Sequence, residues 1–104
     1  MAVKEITDAN FMEETGSGVT LTDLWATWCG PCRMQSPVIE KVAELETGVK
    51  FTKLDVDKNQ KTAQELGVRA IPTLIIKKDG EVVERLTGFH TIDMIQKTLH
   101  KYEK

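Results

Sequence analysis

An excess of charge of one sign is missing from this sequence: fourteen Lys and Arg stand against sixteen Asp and Glu in 104 residues, a formal net charge of -2. That near balance leaves no electrostatic footprint for a phosphate backbone, so nucleic acid is not an expected partner. Long apolar runs are missing too. No stretch approaches the roughly 18 residues that a membrane helix needs, and no membrane association is expected. Met1-Ala2-Val3-Lys4-Glu5-Ile6 carries an acid at position 5 and no apolar stretch, unlike a secretory signal, which makes a cytoplasmic protein the expectation. Repeats, low-complexity tracts and linkers are absent, and residues 1–104 fit a single domain around one core. There is no glycine-rich phosphate loop, so no nucleotide cofactor is expected.

Cysteine is scarce, and the scarcity is informative. The chain has only Cys29 and Cys32. Small secreted domains held by disulfides use more bridges over longer loops, and so short a loop constrains little of the unfolded chain. The pair is therefore read as reactive, not as a staple. A zinc site would need two further ligands at workable spacing. His90 and His100 lie far down the chain and too widely separated, so no metal is expected and both are read as surface residues.

The apolar pattern organises what is present. Val3–Ile6 is a short strand candidate; Thr7-Asp8 offers a helix N-cap before Phe11 and Met12, and Gly16-Ser17-Gly18 ends that helix. Val19, Leu21, Asp23 and Trp25 alternate with Thr20, Thr22 and Leu24 as in a strand. From Pro31 to about Glu46 the spacing turns helical, with Val38, Val42 and Leu45 on one face, Met34 at or near the core, and Pro37 as an expected kink. Val49–Val56 reads as a strand and Asn59–Leu66 as a helix stopped by Gly67. Pro72–Lys78 and Glu81–Thr87 flank Asp79-Gly80, a strong hairpin signal. Ile92, Ile95, Leu99 and Tyr102 form a final helical stripe. The order β-α-β-α-β-α-β-β-α predicts an α/β fold: a mixed five-stranded sheet flanked by four helices on its two faces.

Trp28-Cys29-Gly30-Pro31-Cys32 sits where a strand hands over to a helix. Cys29 is thus placed at a helix N-terminus, where unpaired N–H groups and the helix dipole stabilise a thiolate, the nucleophile of disulfide exchange. Cys32, one turn further in, can reach Cys29 but is shielded from partners. Cys29 is expected to attack a target disulfide and Cys32 to resolve the mixed disulfide, the pair forming a redox-active disulfide in the process. Pro31 suits a first helical turn, and Gly30 admits a partner backbone. Asp23 shares the face of Val19, Leu21 and Trp25, so alternation turns a carboxylate inward; burial raises its pKa and suits it to accept a proton near neutrality. A strand-end aspartate capping a turn is the plain alternative.

Asp23-Leu24-Trp25-Ala26-Thr27-Trp28-Cys29-Gly30-Pro31-Cys32, with Pro37, Asp55-Val56-Asp57, Ile71-Pro72-Thr73 and Thr87-Gly88-Phe89, resembles the thioredoxin family of bacterial type over nearly the whole chain. The resemblance implies a thioredoxin fold, a cis Ile71–Pro72 bond beside the cysteines, and Asp23 taking the proton of Cys32. It matches Lys53 to a partly buried lysine near that carboxylate, where a solvated strand lysine is the alternative. Trp28, Gly30, Pro31, Ala70, Ile71, Pro72 and Gly88 would rim a shallow apolar patch for extended client segments; a core Trp28 is the alternative there. The implied activity is reduction of client disulfides by a monomer that is itself reduced by an NADPH-dependent flavoprotein thioredoxin reductase. Clients of the family include ribonucleotide reductase, methionine sulfoxide reductases and thiol peroxidases. Gly-Pro between the cysteines resembles reducing members, whereas oxidising relatives place a histidine there. Leu24, Gln60 and Lys77 depart from the family pattern. Lys77 stands where an apolar strand residue is common, and is read as marking a wetter strand face.

Overall fold

The computed structural model describes residues 2–103. Strands β1 (Val3–Glu5), β2 (Val19–Trp25), β3 (Lys50–Asp55), β4 (Thr73–Lys78) and β5 (Glu81–Thr87) alternate with helices α1 (Phe11–Glu14), α2 (Gly30–Leu45), α3 (Gln60–Glu65) and α4 (Ile92–His100) in the predicted order. They form one five-stranded sheet, β1-β3-β2-β4-β5, with β1, β3 and β2 parallel and β4 and β5 antiparallel to their neighbours. On one face Leu21, Phe51, Leu74 and Ile76 pack against Ile39 and Val42 of α2 and Ile95 and Leu99 of α4. On the other, Leu24, Leu54 and Ile75 pack against Phe11 of α1 and Ala63 of α3. Each fully buried Leu or Ile contributes roughly 1.5–3 kcal/mol of transfer free energy, which is what holds the two helical layers to the sheet. β2 lies at the centre, and one of its hydroxyls is absorbed locally: Thr22 Oγ1 lies 2.8 Å from Thr52 Oγ1, and Thr52 Oγ1 donates to the Leu21 carbonyl at 3.2 Å.

Asp79 and Gly80 both take positive φ, +50° and +88°, as the hairpin signal requires. The buried face of α2 includes Val42 and has Val38 packed at its edge, as expected, but it departs from the expected stripe at either end. Its buried residues are Cys32, Gln35, Ile39, Val42 and Ala43, a spacing of three and four, whereas Leu45 is half exposed and Met34 is 63% exposed. α2 runs unbroken through Pro37.

The first helix also begins later than expected. Asn10, not Thr7-Asp8, precedes it, and the Asp8 carboxylate works elsewhere: it accepts from the backbone N–H of Thr62 at 2.8 Å and of Lys61 at 3.4 Å. Asp8 therefore caps α3 from a distant part of the chain. Asn59, at the N-cap position itself, spends its amide on the Asp8 N–H and the Asp55 carbonyl. Partial burial pushes the Asp8 carboxyl up, but the bonds from Thr62 and Lys61 outweigh it and hold the pKa below the ordinary value.

Lys77 corrects the reading of a wetter face. It is 2% exposed, pointing to the α1 layer, with Nζ 2.8 Å from Thr15 Oγ1 and 4.6 Å from the Phe11 ring centroid. Its strand lies between β2 and β5 and is covered by α1, so the side chain has no route to water and its burial lowers its pKa.

Two measurements follow from these positions. Lys77→Met removes a desolvated charge without orphaning Thr15, which still donates to the Phe11 carbonyl; urea unfolding at neutral pH is expected to show equal stability or a gain of about 1 kcal/mol. Because the folded-state pKa of Lys77 is depressed, wild-type stability rises as pH climbs towards the ordinary lysine value, and any gap to the variant narrows there. Asp8→Ala is expected to cost about 1 kcal/mol at neutral pH by uncapping α3. That loss disappears as pH falls through and below the ordinary aspartate value of 3.8, where the wild-type cap is itself protonated.

Candidate active site

β2 ends at Trp25, and four residues later Cys29 occupies the N-cap of α2 with φ -91° and ψ 110°. Gly30 and Pro31 open the helix, where the missing proline N–H costs no hydrogen bond. The Cys29 sulfur accepts from the backbone N–H of Cys32 at 3.2 Å, so it sits on the donor end of the helix. The two cysteines are joined as a disulfide with Cα atoms 5.3 Å apart. Cys32 is shielded as expected, at 3% exposed, but Cys29 is hardly more open in this disulfide state, at 4%, because Trp25, Ala26, Val56 and Ile71 close around both.

The opposite wall comes from the antiparallel half of the chain. The Ile71–Pro72 bond is cis, and the Ile71 carbonyl oxygen lies 3.7 Å from the Cys29 sulfur. Pro72 is buried, while Ile71 and Gly88 are half-buried and Ala70 is exposed. The Gly88 N–H donates to the Pro72 carbonyl at 2.8 Å, and its φ of +88° suits glycine. Trp28 is 67% exposed and so is not a core residue; its indole N–H donates to Asp57 Oδ2 at 2.8 Å, which fixes the ring beside the disulfide. Gly30 and Pro31 are exposed next to it.

Asp23 faces the α2 layer and is 4% exposed. Burial pushes its carboxyl up to about 7, and the Lys53 ammonium pulls it only partly back. Asp23 and Lys53 are register partners on β2 and β3, yet they form no salt bridge; Lys53 is half-buried, its Nζ 6.0 Å from the Trp25 ring centroid. Among the described residues nothing donates to Asp23 Oδ1. Asp23 lines a cavity of about 330 Å³ together with Cys32, Lys53, Trp25, Arg33 and Ser36, so the buried carboxyl lies on the Cys32 side of the site.

Among the described residues no His, Asp or Glu gathers with the cysteines; the one grouping with metal-ligand spacing is Glu46, His100 and Glu103. No helix among them is long and apolar enough to cross a membrane. Two neighbours of the site were given no role from sequence. Asp57, quoted above only within Asp55-Val56-Asp57, holds Trp28. Gln35 carries a local signal, a polar residue three positions after Cys32 on the face that Ile39 and Val42 bury.

A disulfide closed across the first turn of a helix, at the end of a central strand and opposite a cis-proline loop, defines a thiol–disulfide oxidoreductase of the Cys-x-x-Cys class. The comparisons agree. The family profile described as Thioredoxin matches residues 2–101. A thioredoxin of Listeria monocytogenes is 54% identical over 102 residues, covering 96% of this chain and 98% of that one. One from Bacillus subtilis is 48% identical over 103 residues, covering 98% and 99%. Solved thioredoxin structures from Malassezia sympodialis and Halobacterium salinarum superpose with TM-scores of 0.89 and 0.92, each at 36% identity and covering 98% of this chain and 91% of that chain. This chain belongs to the thioredoxin family.

The buried carboxylate yields a stability test. A group whose folded-state pKa is raised contributes its full stability below the unfolded value of 3.8 and loses it as pH rises through about 7. Asp23→Asn is therefore expected to be more stable than wild type in mildly alkaline urea melts, by roughly 2–4 kcal/mol, with the difference closing as pH falls towards the ordinary aspartate range. A gap independent of pH would show that Asp23 ionises as it does in water.

Proposed function

We propose that the chain is a one-domain, monomeric, cytoplasmic reductase of protein disulfides, with Cys29 as nucleophile and Cys32 as resolving thiol. The observation that carries this reading is the Cys29 sulfur on the donor end of α2, with Asp23 in the same cavity as Cys32. In the reduced protein the Cys29 thiolate attacks one sulfur of a client disulfide, and the client's other sulfur leaves as thiolate. Cys32 gives its proton to Asp23 and attacks the Cys29 sulfur of the mixed disulfide. The second client thiolate departs, and the Cys29–Cys32 bond closes. Two electrons have passed to the client, and they are restored by an NADPH-dependent thioredoxin reductase. A pKa of about 7 leaves Asp23 partly ionised at neutrality, which fits an acceptor of this proton. Lys53 opposes the upward shift and keeps the acid in range.

Trp28, Gly30, Pro31, Ala70, Ile71, Pro72 and Gly88 form the client surface in this reading. Backbone groups flanking Pro72 pair with an extended client segment as an added strand would, and exposed Trp28 supplies apolar contact that asks little of client sequence. Clients of the ribonucleotide reductase, methionine sulfoxide reductase and thiol peroxidase kinds fit such a surface.

The test is insulin reduction driven by dithiothreitol. Cys29→Ser is expected to lose catalysis entirely, and Cys32→Ser to accumulate a client adduct visible by mass spectrometry. Asp23→Asn should slow resolution about tenfold or more near neutrality while sparing the first attack. Full turnover by Cys29→Ser would refute the nucleophile assignment. Identical resolution rates for Asp23→Asn and wild type through neutral pH would remove Asp23 from the mechanism.

A further inference from the structure

Gln35 is fully buried, on the face of α2 that carries Cys32 one turn earlier. A primary amide in such a place is unfavourable unless its polar ends are bonded. Both ends go to a single residue of another segment: Gln35 Oε1 accepts from the His90 N–H at 2.8 Å, and Nε2 donates to the His90 carbonyl at 3.0 Å. The side chain thereby imitates a strand partner for one residue of a stretch that has no sheet neighbour, between β5 and the Thr91 cap of α4. From His90 the connection continues. Its Nδ1 lies 2.9 Å from the Gly88 carbonyl, and the Gly88 N–H is bonded to the Pro72 carbonyl. Phe89, between them, is 41% exposed.

We infer that Gln35 is a positioning residue for protein clients: it sets the 88–90 segment at a fixed height relative to the helix that carries the cysteines, so that both walls of the client surface stand at one spacing. The inference rests on the client surface proposed above. Gln35 touches neither sulfur, and its effect passes through the backbone of His90 and Gly88. An extended protein segment spans both walls and depends on their spacing, and small misplacements are costly in such alignments. A small disulfide meets only the sulfur and has no such dependence.

Gln35→Leu and Gln35→Met keep most of the buried volume and remove both hydrogen bonds. Fully reduced protein is mixed in single-turnover assays with insulin or with hydroxyethyl disulfide, and deuterium exchange at the His90 amide is followed in parallel. The expected result is a fall of about tenfold in the apparent second-order rate constant for insulin, carried by the half-saturating concentration and not the limiting rate, with hydroxyethyl disulfide changed less than about twofold and faster exchange at His90. Unaltered insulin kinetics despite faster exchange would overturn the inference, as would unaltered exchange. So would an equal loss with both disulfides, since that places the effect on the sulfur chemistry or the fold. Should neither variant fold, exchange in the wild type decides, and a His90 amide as fast as a free loop refutes the anchoring. Failure of the reductase reading itself is distinguishable, because wild type would then reduce neither disulfide.

Discussion

β2 has a sheet neighbour on each side and a helical layer on each face, so a carboxylate placed on it is held back from bulk water. Asp23 sits there, and its raised pKa follows from that enclosure more than from any single contact. β2 ends at Trp25, and the chain then turns into α2, whose first turn meets the sulfurs. The stability given up by burying the acid is offset by the apolar layers that make the burial possible, a common arrangement where stability and activity compete.

α2 then joins the two halves of the molecule. Its buried face carries Cys32 towards the cavity, Gln35 towards the segment after β5, and Ile39 and Val42 into the core beneath. Ile71 arrives from the other half of the chain and completes the enclosure of the disulfide, with Gly88 bonded to Pro72 next to it. The site lies where the parallel strands and the antiparallel hairpin meet, and neither half contains it alone.

Much of this was legible in the sequence. The order of elements, the hairpin at Asp79-Gly80 and the strand-to-helix handover at Cys29 follow from apolar period and turn chemistry, and the structure places them as read. Inward-facing Asp23 was visible in the alternation of β2. What the pattern missed has a common physical origin, since periodicity reports one element at a time. Asp8 looks like the cap of the next helix because Thr7-Asp8 precedes an apolar pair, but its partner is the N-terminus of α3, which only the tertiary fold brings near. Lys77 looks solvated because lysine usually is, yet a long side chain can bury its stem and find a hydroxyl and an aromatic face. Met34 and Leu45 show that the ends of a helical stripe can leave the core while its middle, Val38 and Val42, stays packed. Gln35 escaped because a polar letter on a helix reads as exposed until its partner is known.

The split of the site between the two halves has a consequence for synthesis. A ribosome releases Cys29 and Cys32 well before it releases Pro72 and Gly88, so a partly made chain carries both sulfurs without the loops that frame them. The first turn of α2 also lacks the packing that holds it, because isolated helices of this length are marginal in water. The nascent protein therefore carries two ordinary exposed thiols, and the arrangement that sets one sulfur on a helix end beside Pro72 exists only once the fold is complete.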